Sequence, residues 1–142
     1  LYRVVDGADA GWPRCHAGDI VDPDLGDEPD PATGLVGCDG VVAPDATFQA
    51  HMAPLGIAFW DDGAVIAFHG SWNRSEKVGY EVWWLPWDDG PAGEPSVLVG
   101  GFLDPETGDA SGRPAGVIAG PDGALFVSDD KGGFIYRVER TR

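Results

Sequence analysis

Two short strings recur in this chain at one fixed distance, and that spacing limits its possible folds more than any other feature. Pro54-Leu55-Gly56 returns sixty positions later as Pro114-Ala115-Gly116, and Asp62-Gly63 returns at the same interval as Asp122-Gly123. Each copy continues with an apolar run, a polar loop and an aromatic run. In the first copy these are residues 64–68, the loop through Lys77, and 80–85. In the second they are 124–128, 129–133 and 134–138. A strand, Asp-Gly turn, strand, loop, strand unit repeating at several tens of residues is the pattern of propeller blades. Two unrelated hairpins in a sandwich are the alternative.

No stretch carries a 3.6-residue apolar period, so the expected class is all-β. The strand candidates are residues 2–5, 55–60, 64–68, 80–85, 96–99, 117–119, 124–128 and 134–138. Gly63 is expected to accept the positive φ of the first hairpin turn. Both faces of 80–85 are rich in β-formers, so both are expected to be covered. This amounts to about two blades plus a strand of a third. Repeat units bury their faces against neighbours, and a ring needs about four to eight blades. The chain therefore reads as a C-terminal segment, 1–142, of a larger propeller. It begins Leu1-Tyr2 without an initiator Met, as a processed or partial chain does.

Composition removes several function classes. Nine Lys and Arg against 24 Asp and Glu give a net charge of −15. A sequence-independent nucleic-acid binder needs a basic footprint, and docking on anionic lipid needs clustered cations. No apolar run approaches the ~20 residues of a membrane span. Gly (22) and Pro (12) are abundant enough to suggest disorder, but six Trp, three Tyr and six Phe argue for a folded, turn-rich chain. The acidity suits a soluble secreted or periplasmic protein; a high-salt habitat is the sharper reading.

Residues 23–47 form a long loop rich in Asp, Pro and Gly, and loops of that length need a tether or a function. Cys15 and Cys38 flank much of it. A bridge between them would stabilise by ~3 kcal/mol and imply an oxidising compartment; two free core thiols are the alternative. There is no CxxC or CxxCH string.

With cations so scarce, their positions inform. Arg74 follows a blade strand in His69-Gly70-Ser71-Trp72-Asn73-Arg74, and Arg113 precedes the next inner strand in Gly112-Arg113-Pro114. Loops on one face of a propeller ring its channel, so the two guanidiniums could converge on one anion. Pairing of each with a nearby Asp is the plainer reading. His51 also precedes an inner strand and could act as base or donor to an anion, or be a half-buried His satisfied by backbone. His16 and His69 are weaker candidates, and the three His lack metal-ligand spacing. Asp19, Asp22, Asp24 and Asp27 could hold Ca²⁺ but depart from the EF-hand pattern, so a solvated acidic loop is preferred. Asp129-Asp130 either binds or turns the chain. No GxSxG, Walker A or GxGxxG string is present.

The order and spacing of these strings resemble a known family. His51-Met52-Ala53-Pro54-Leu55-Gly56, Gly70-Ser71-Trp72-Asn73-Arg74, Gly79-Tyr80, Gly112-Arg113-Pro114-Ala115-Gly116 and Val127-Ser128-Asp129-Asp130 are similar to the C-terminal part of the glucose/sorbosone dehydrogenases. Gly11-Trp12-Pro13, with Cys15 soon after, is similar to the segment upstream. The resemblance spans nearly the whole chain, with a variable gap across 24–45. It implies a six-bladed β-propeller, secreted or periplasmic, that uses pyrroloquinoline quinone (PQQ) to oxidise a sugar hydroxyl or hemiacetal. PQQ carries three carboxylates, and the resemblance implies that Arg74 and Arg113 contact them. His51 and Asn73 match neighbouring cofactor-contacting positions. Ca²⁺ would polarise the quinone, with most of its ligands outside this chain, and electrons would leave to an unnamed acceptor. The family's catalytic His has no match here. A non-catalytic propeller module binding a carbohydrate or protein partner is therefore the second expectation, and a Ca²⁺-dependent lactonase the third.

Overall fold

The computed structural model describes residues 1–140, which fall into two compact units, Leu1–Thr47 and a second from Phe48 onward. The first unit is built on turns rather than strands. Its only regular pairing is a small antiparallel ladder between β1 (Cys15–His16) and β2 (Ile20–Val21). Cys15 is joined to Cys38 by a disulfide. Buried Arg14 reaches both the Asp9 carboxylate and the Gly37 carbonyl, which ties the bridged loop to the chain before β1.

Residues 2–5, a strand candidate from sequence, form no strand. Val4 is 90% exposed, and the neighbouring backbone bonds go elsewhere: the Leu1 carbonyl accepts from the Asp45 amide at 2.9 Å. A β-rich run without a ladder partner stays irregular. The 23–47 loop is organised by its own acids. Asp22 Oδ1 accepts the amides of Asp24 and Leu25 (3.0 and 2.8 Å), and Asp30 Oδ1 accepts those of Ala32 and Thr33 (2.9 and 2.8 Å). Asp favours such sites because its short carboxylate mimics a backbone turn.

The second unit holds the repeat. A four-stranded antiparallel sheet runs β3 (Pro54–Trp60), β4 (Gly63–Phe68), β5 (Glu81–Pro86), β6 (Ser96–Val99). A three-stranded sheet runs β7 (Pro114–Ala119), β8 (Leu125–Asp129), β9 (Phe134–Val138). β3 and β7 begin at the repeated prolines, and both pairings slip in register just after them, between Pro54 and Gly56 and between Pro114 and Val117. Gly56 makes this packing possible. A Cβ there would stand 2.7 Å from the Ala115 carbonyl oxygen and 2.9 Å from the Gly116 Cα, so the two first strands approach backbone to backbone. Trp60, Val65, Val82, Leu125 and Val127 form the shared core, and all of β4 is buried. Trp60 Nε1 donates to the Gly123 carbonyl at 2.8 Å and pins the two turns together.

The first turn departs from expectation. Asp61, not Gly63, takes the left-handed conformation (φ 55°). Gly63 is required for a different reason: the Trp84 indole lies over it, 2.1 Å from where a Cβ would sit. The second turn does use its glycine, Gly123, at φ 82°. Tyr80 also leaves the strand expected over 80–85, since its φ of 63° turns the chain into β5 at Glu81. Among the described residues there is no helix, and the fold is all-β and antiparallel, consistent with part of a β-propeller.

Candidate functional site

Antiparallel pairing places Pro54 opposite Phe68 and Pro114 opposite Asp129. The segments entering β3 and β7 and leaving β4 and β8 therefore meet at one edge of the two sheets. His51, Asn73, Arg74, Arg113 and Asp130 all belong to those segments.

Arg113 is the centre of this edge. Its Nε donates to the His69 carbonyl (2.9 Å) and its Nη2 to the Gly70 carbonyl (2.5 Å). The guanidinium lies over the Tyr80 ring, 5.2 Å from the centroid. Its backbone amide is held by Asp129 Oδ1 at 2.8 Å. The expected alternative, an Arg113–Asp ion pair, is thus replaced by a backbone amide bond, and the side-chain charge stays uncompensated. Arg14, Arg137 and Arg140 do pair with carboxylates. The guanidiniums of Arg74 and Arg113 touch none among the described residues.

Asp129 turns the chain. It is 3% exposed. Its Oδ1 also accepts the amides of Lys131 (3.1 Å) and Gly132 (2.8 Å), and its Oδ2 accepts the Tyr136 hydroxyl at 3.1 Å. Burial works to raise its pKa, but these amide and hydroxyl bonds outweigh it and hold the carboxyl below its ordinary value. Desolvation, and after it the hydrogen bond to Asp129 and that group's charge, push the Tyr136 hydroxyl above its ordinary value. His69, a weaker candidate, is bonded through Nε2 to Asp130 at 2.9 Å.

A cleft of about 400 Å³ opens beside Arg113, walled by Ser71, Trp72, Lys77, Tyr80, Ala110 and Lys131. It gathers both lysines of the chain with one arginine, in a protein of net charge −15. Of the residues expected from sequence, only Arg113 lines it. Asn73 and His51 are exposed, with His51 at φ 71°, and Arg74 is half-buried; none of the three walls the cleft. Sequence reasoning missed Lys77 and Lys131, although lysine is so rare here that its two positions were themselves a signal. Lys77 Nζ donates to the Gly108 carbonyl at 2.5 Å. Chemically, the cleft offers cations and a phenol ring to a planar or carboxylated guest. Among the described residues no group of three or more His, Cys, Asp or Glu is placed to hold a metal ion. Asp22, in the acidic cluster of the first unit, is bonded instead to His16 Nε2 at 2.7 Å.

The described residues thus form an all-β, antiparallel scaffold with a cationic cleft at one edge of its two sheets. The model of the TrAA12-like family matches residues 36–141, and the chain belongs to that family. This is the relationship to PQQ-dependent sugar dehydrogenases that the motifs pointed to. The chain is 39% identical over 100 residues to an uncharacterized protein of Borreliella burgdorferi, covering 63% of this chain and 26% of that one. It is 29% identical over 120 residues to the pyrroloquinoline quinone-dependent pyranose dehydrogenase of Coprinopsis cinerea, covering 70% of this chain and 16% of that one. The holo form of that organism's pyranose dehydrogenase PQQ domain superposes with a TM-score of 0.62 at 30% identity, over 71% of this chain and 30% of that one. A family AA12 enzyme of Trichoderma reesei superposes with a TM-score of 0.74 at 26% identity, over 95% of this chain and 40% of that one. The chain therefore spans well under half the length of these relatives.

Proposed function

We propose that this chain is the C-terminal part of a six-bladed, PQQ-dependent sugar dehydrogenase, and that its Arg113 edge forms part of the rim that binds the cofactor carboxylates. The observation carrying the reading is the Arg113 guanidinium, fixed by two carbonyls and a tyrosine ring and paired with no carboxylate among the described residues.

Two blades are assigned, β3–β6 and β7–β9. The repeat supports a continuing ring. Sixty-residue equivalence maps Gly116 and Ile118 onto Gly56 and Ala58, whose ladder includes Val65 and Trp84 and faces the second sheet. The corresponding ladder of the second sheet, Ile118–Phe126–Arg137, is open, and Ile118 and Ile135 are exposed. A further sheet of the same kind would cover it.

The cleft's donor set fits a guest with several carboxylates: Arg113 presents Nη1 without a partner among the described residues, and Lys77 and Lys131 flank it. When bound, PQQ supplies a two-electron acceptor for the oxidation of a sugar hydroxyl. The residues of this chain bind and orient. Arg113 holds a carboxylate by charge-assisted hydrogen bonds, Tyr80 backs the guanidinium, and Asp129 fixes the Arg113 backbone. Arg74, Asn73 and His51 stand on the same edge as further rim contacts. The described residues do not fit Ca²⁺ on their own, so its ligands are assigned to the rest of the ring, with the catalytic base. The disulfide supports a periplasmic or secreted location. The competing reading, a non-catalytic module that binds a saccharide or protein partner, is favoured by the lack of a match to the family's base.

Calorimetric titration of PQQ into the chain tests the proposal. Saturable binding weakened at least about tenfold by Arg113→Ala, as loss of a charge-assisted contact predicts, supports it. Equal binding by parent and variant refutes it, and saccharide binding indifferent to PQQ favours the competing reading.

A further inference from the structure

The six tryptophans of this chain are used in different ways. Trp60 is buried and hydrogen-bonded to Gly123. Trp83 donates to Glu81 Oε2 and packs on Phe48 and Phe68. Trp84 covers Gly63, Trp87 meets Phe59, and Trp12 meets His16. Trp72 makes no ring contact or side-chain hydrogen bond among the described residues, and it differs from Trp84, whose unpartnered Nε1 is buried, in standing out in solvent. It is 83% exposed and forms part of the wall of the Arg113 cleft.

Its exposure is built into the fold. The preceding residue, Ser71, is 1% exposed and anchored on three sides. The Ser71 amide donates to the Val78 carbonyl at 2.9 Å, its Oγ accepts the Val78 amide at 3.1 Å, and its carbonyl accepts the Tyr80 hydroxyl. Gly70, at φ 94°, leaves no room for a Cβ against the Tyr80 ring. A rigid turn thus presents a large apolar ring to solvent, where burial would have been favourable by about 25 cal/mol per Å². The backbone that carries the ring is already ordered, which lowers the cost of binding to it.

Next to it, Lys77 is shared with a second cleft of about 510 Å³ whose walls include Glu76, Asp104, Thr107 and Asp109. The carboxylates of Glu76 and Asp109 make no hydrogen bond among the described residues. An exposed indole beside unpartnered carboxylates and an ammonium matches a pyranose, which has an apolar C–H face and a rim of hydroxyls.

We infer that Trp72 is the stacking platform for a saccharide ring at the mouth of the cleft, with the Glu76–Asp109 side receiving its hydroxyls. This rests on the sugar-dehydrogenase reading. Tyr80 and Arg113, deeper in the cleft, are left to the cofactor. Trp72, which also walls the cofactor cleft, sets saccharide affinity more than cofactor affinity.

The test uses the full chain labelled with ¹⁵N, in which each indole N–H gives one resonance. Loss of a peak in Trp72→Ala identifies Trp72. Glucose, galactose, xylose and cellobiose are then titrated separately, and PQQ binding is measured on the same variants by calorimetry. The expected result is a saturable shift of the Trp72 resonance with at least one sugar. Trp72→Ala should weaken that sugar about tenfold, Trp72→Phe should restore it to within about threefold, and PQQ affinity should fall by less than sugar affinity in Trp72→Ala. No shift with any of the four sugars overturns the inference. So does undiminished sugar binding by Trp72→Ala, or loss of PQQ binding with sugar binding kept. An Arg113→Ala variant that keeps PQQ while the Trp72 results hold would sink the cofactor reading alone.

Discussion

Replacing Asp129 should cost more stability than any other single acid in the second unit, because its carboxylate closes a turn from the inside. One oxygen accepts three amides, those of Arg113 and Gly132 at 2.8 Å and Lys131 at 3.1 Å, and the other accepts the Tyr136 hydroxyl. Asp129→Ala leaves all four donors without their acceptor. At about 1 kcal/mol net for each bond, the expected loss is ~3–4 kcal/mol. Asp129→Asn keeps an oxygen for the amides but turns an NH₂ toward Gly112 and Gly132. The carboxylate oxygen there already lies 2.2 and 2.5 Å from where Cβ atoms would sit, so the pocket has no slack. Its expected cost is ~1–2 kcal/mol.

The pH dependence separates charge from shape. The folded carboxyl titrates below its ordinary value. Its contribution is therefore complete above the unfolded pKa of about 3.9 and is lost as pH falls through the lower, folded value. Asp22, Asp30, Asp104 and Asp122 are also lowered, so the parent's own acid sensitivity is shared. The difference between parent and Asp129→Asn isolates one group. Urea unfolding followed by tryptophan fluorescence at pH 7, 5 and 3 should show that difference constant from 7 to 5 and smaller at 3. A loss under about 1 kcal/mol for Asp129→Ala, or a difference indifferent to pH, would refute the reasoning.

Two further substitutions probe the scaffold. Gly56→Ala drives a Cβ into the Ala115–Gly116 backbone, which cannot move aside as a side-chain tip can, and should cost ~3 kcal/mol by urea unfolding. Cys15→Ser with Cys38→Ser opens a bridge spanning 23 positions. It should cost the first unit ~3 kcal/mol, read as accelerated proteolysis within residues 1–47 while the second unit resists as before.

The second unit was legible because its signal is local and repeated. Apolar runs between Gly, Pro and Asp located seven strands, and the sixty-residue interval located the starts of β3 and β7. Residues 2–5 misled because β-propensity says nothing about a partner strand. Gly63 misled because glycine serves two needs: the sequence pattern implied a positive φ, and the structure uses the missing Cβ beneath Trp84. The position of Arg113 at the sheet edge was legible from its place before an inner strand. Lys77 and Lys131 were not, because they join the cleft from loops after different strands, and no linear spacing records that. The acids of the 19–27 cluster read as a solvated loop or a cation site, but Asp22 holds a turn, as do Asp30 and Asp104, a role that a count of charges conceals. Asp129 takes the turn-forming one of its two expected roles.

The central claim is where the anion sits, and a crystal structure of this chain grown with PQQ and Ca²⁺ tests it most directly. The account predicts quinone density in the cleft of Arg113, Lys77 and Lys131, with a carboxylate on the Arg113 guanidinium within hydrogen-bond distance of Nη1. Quinone bound elsewhere on the chain, with the Arg113 cleft holding only water, would contradict it.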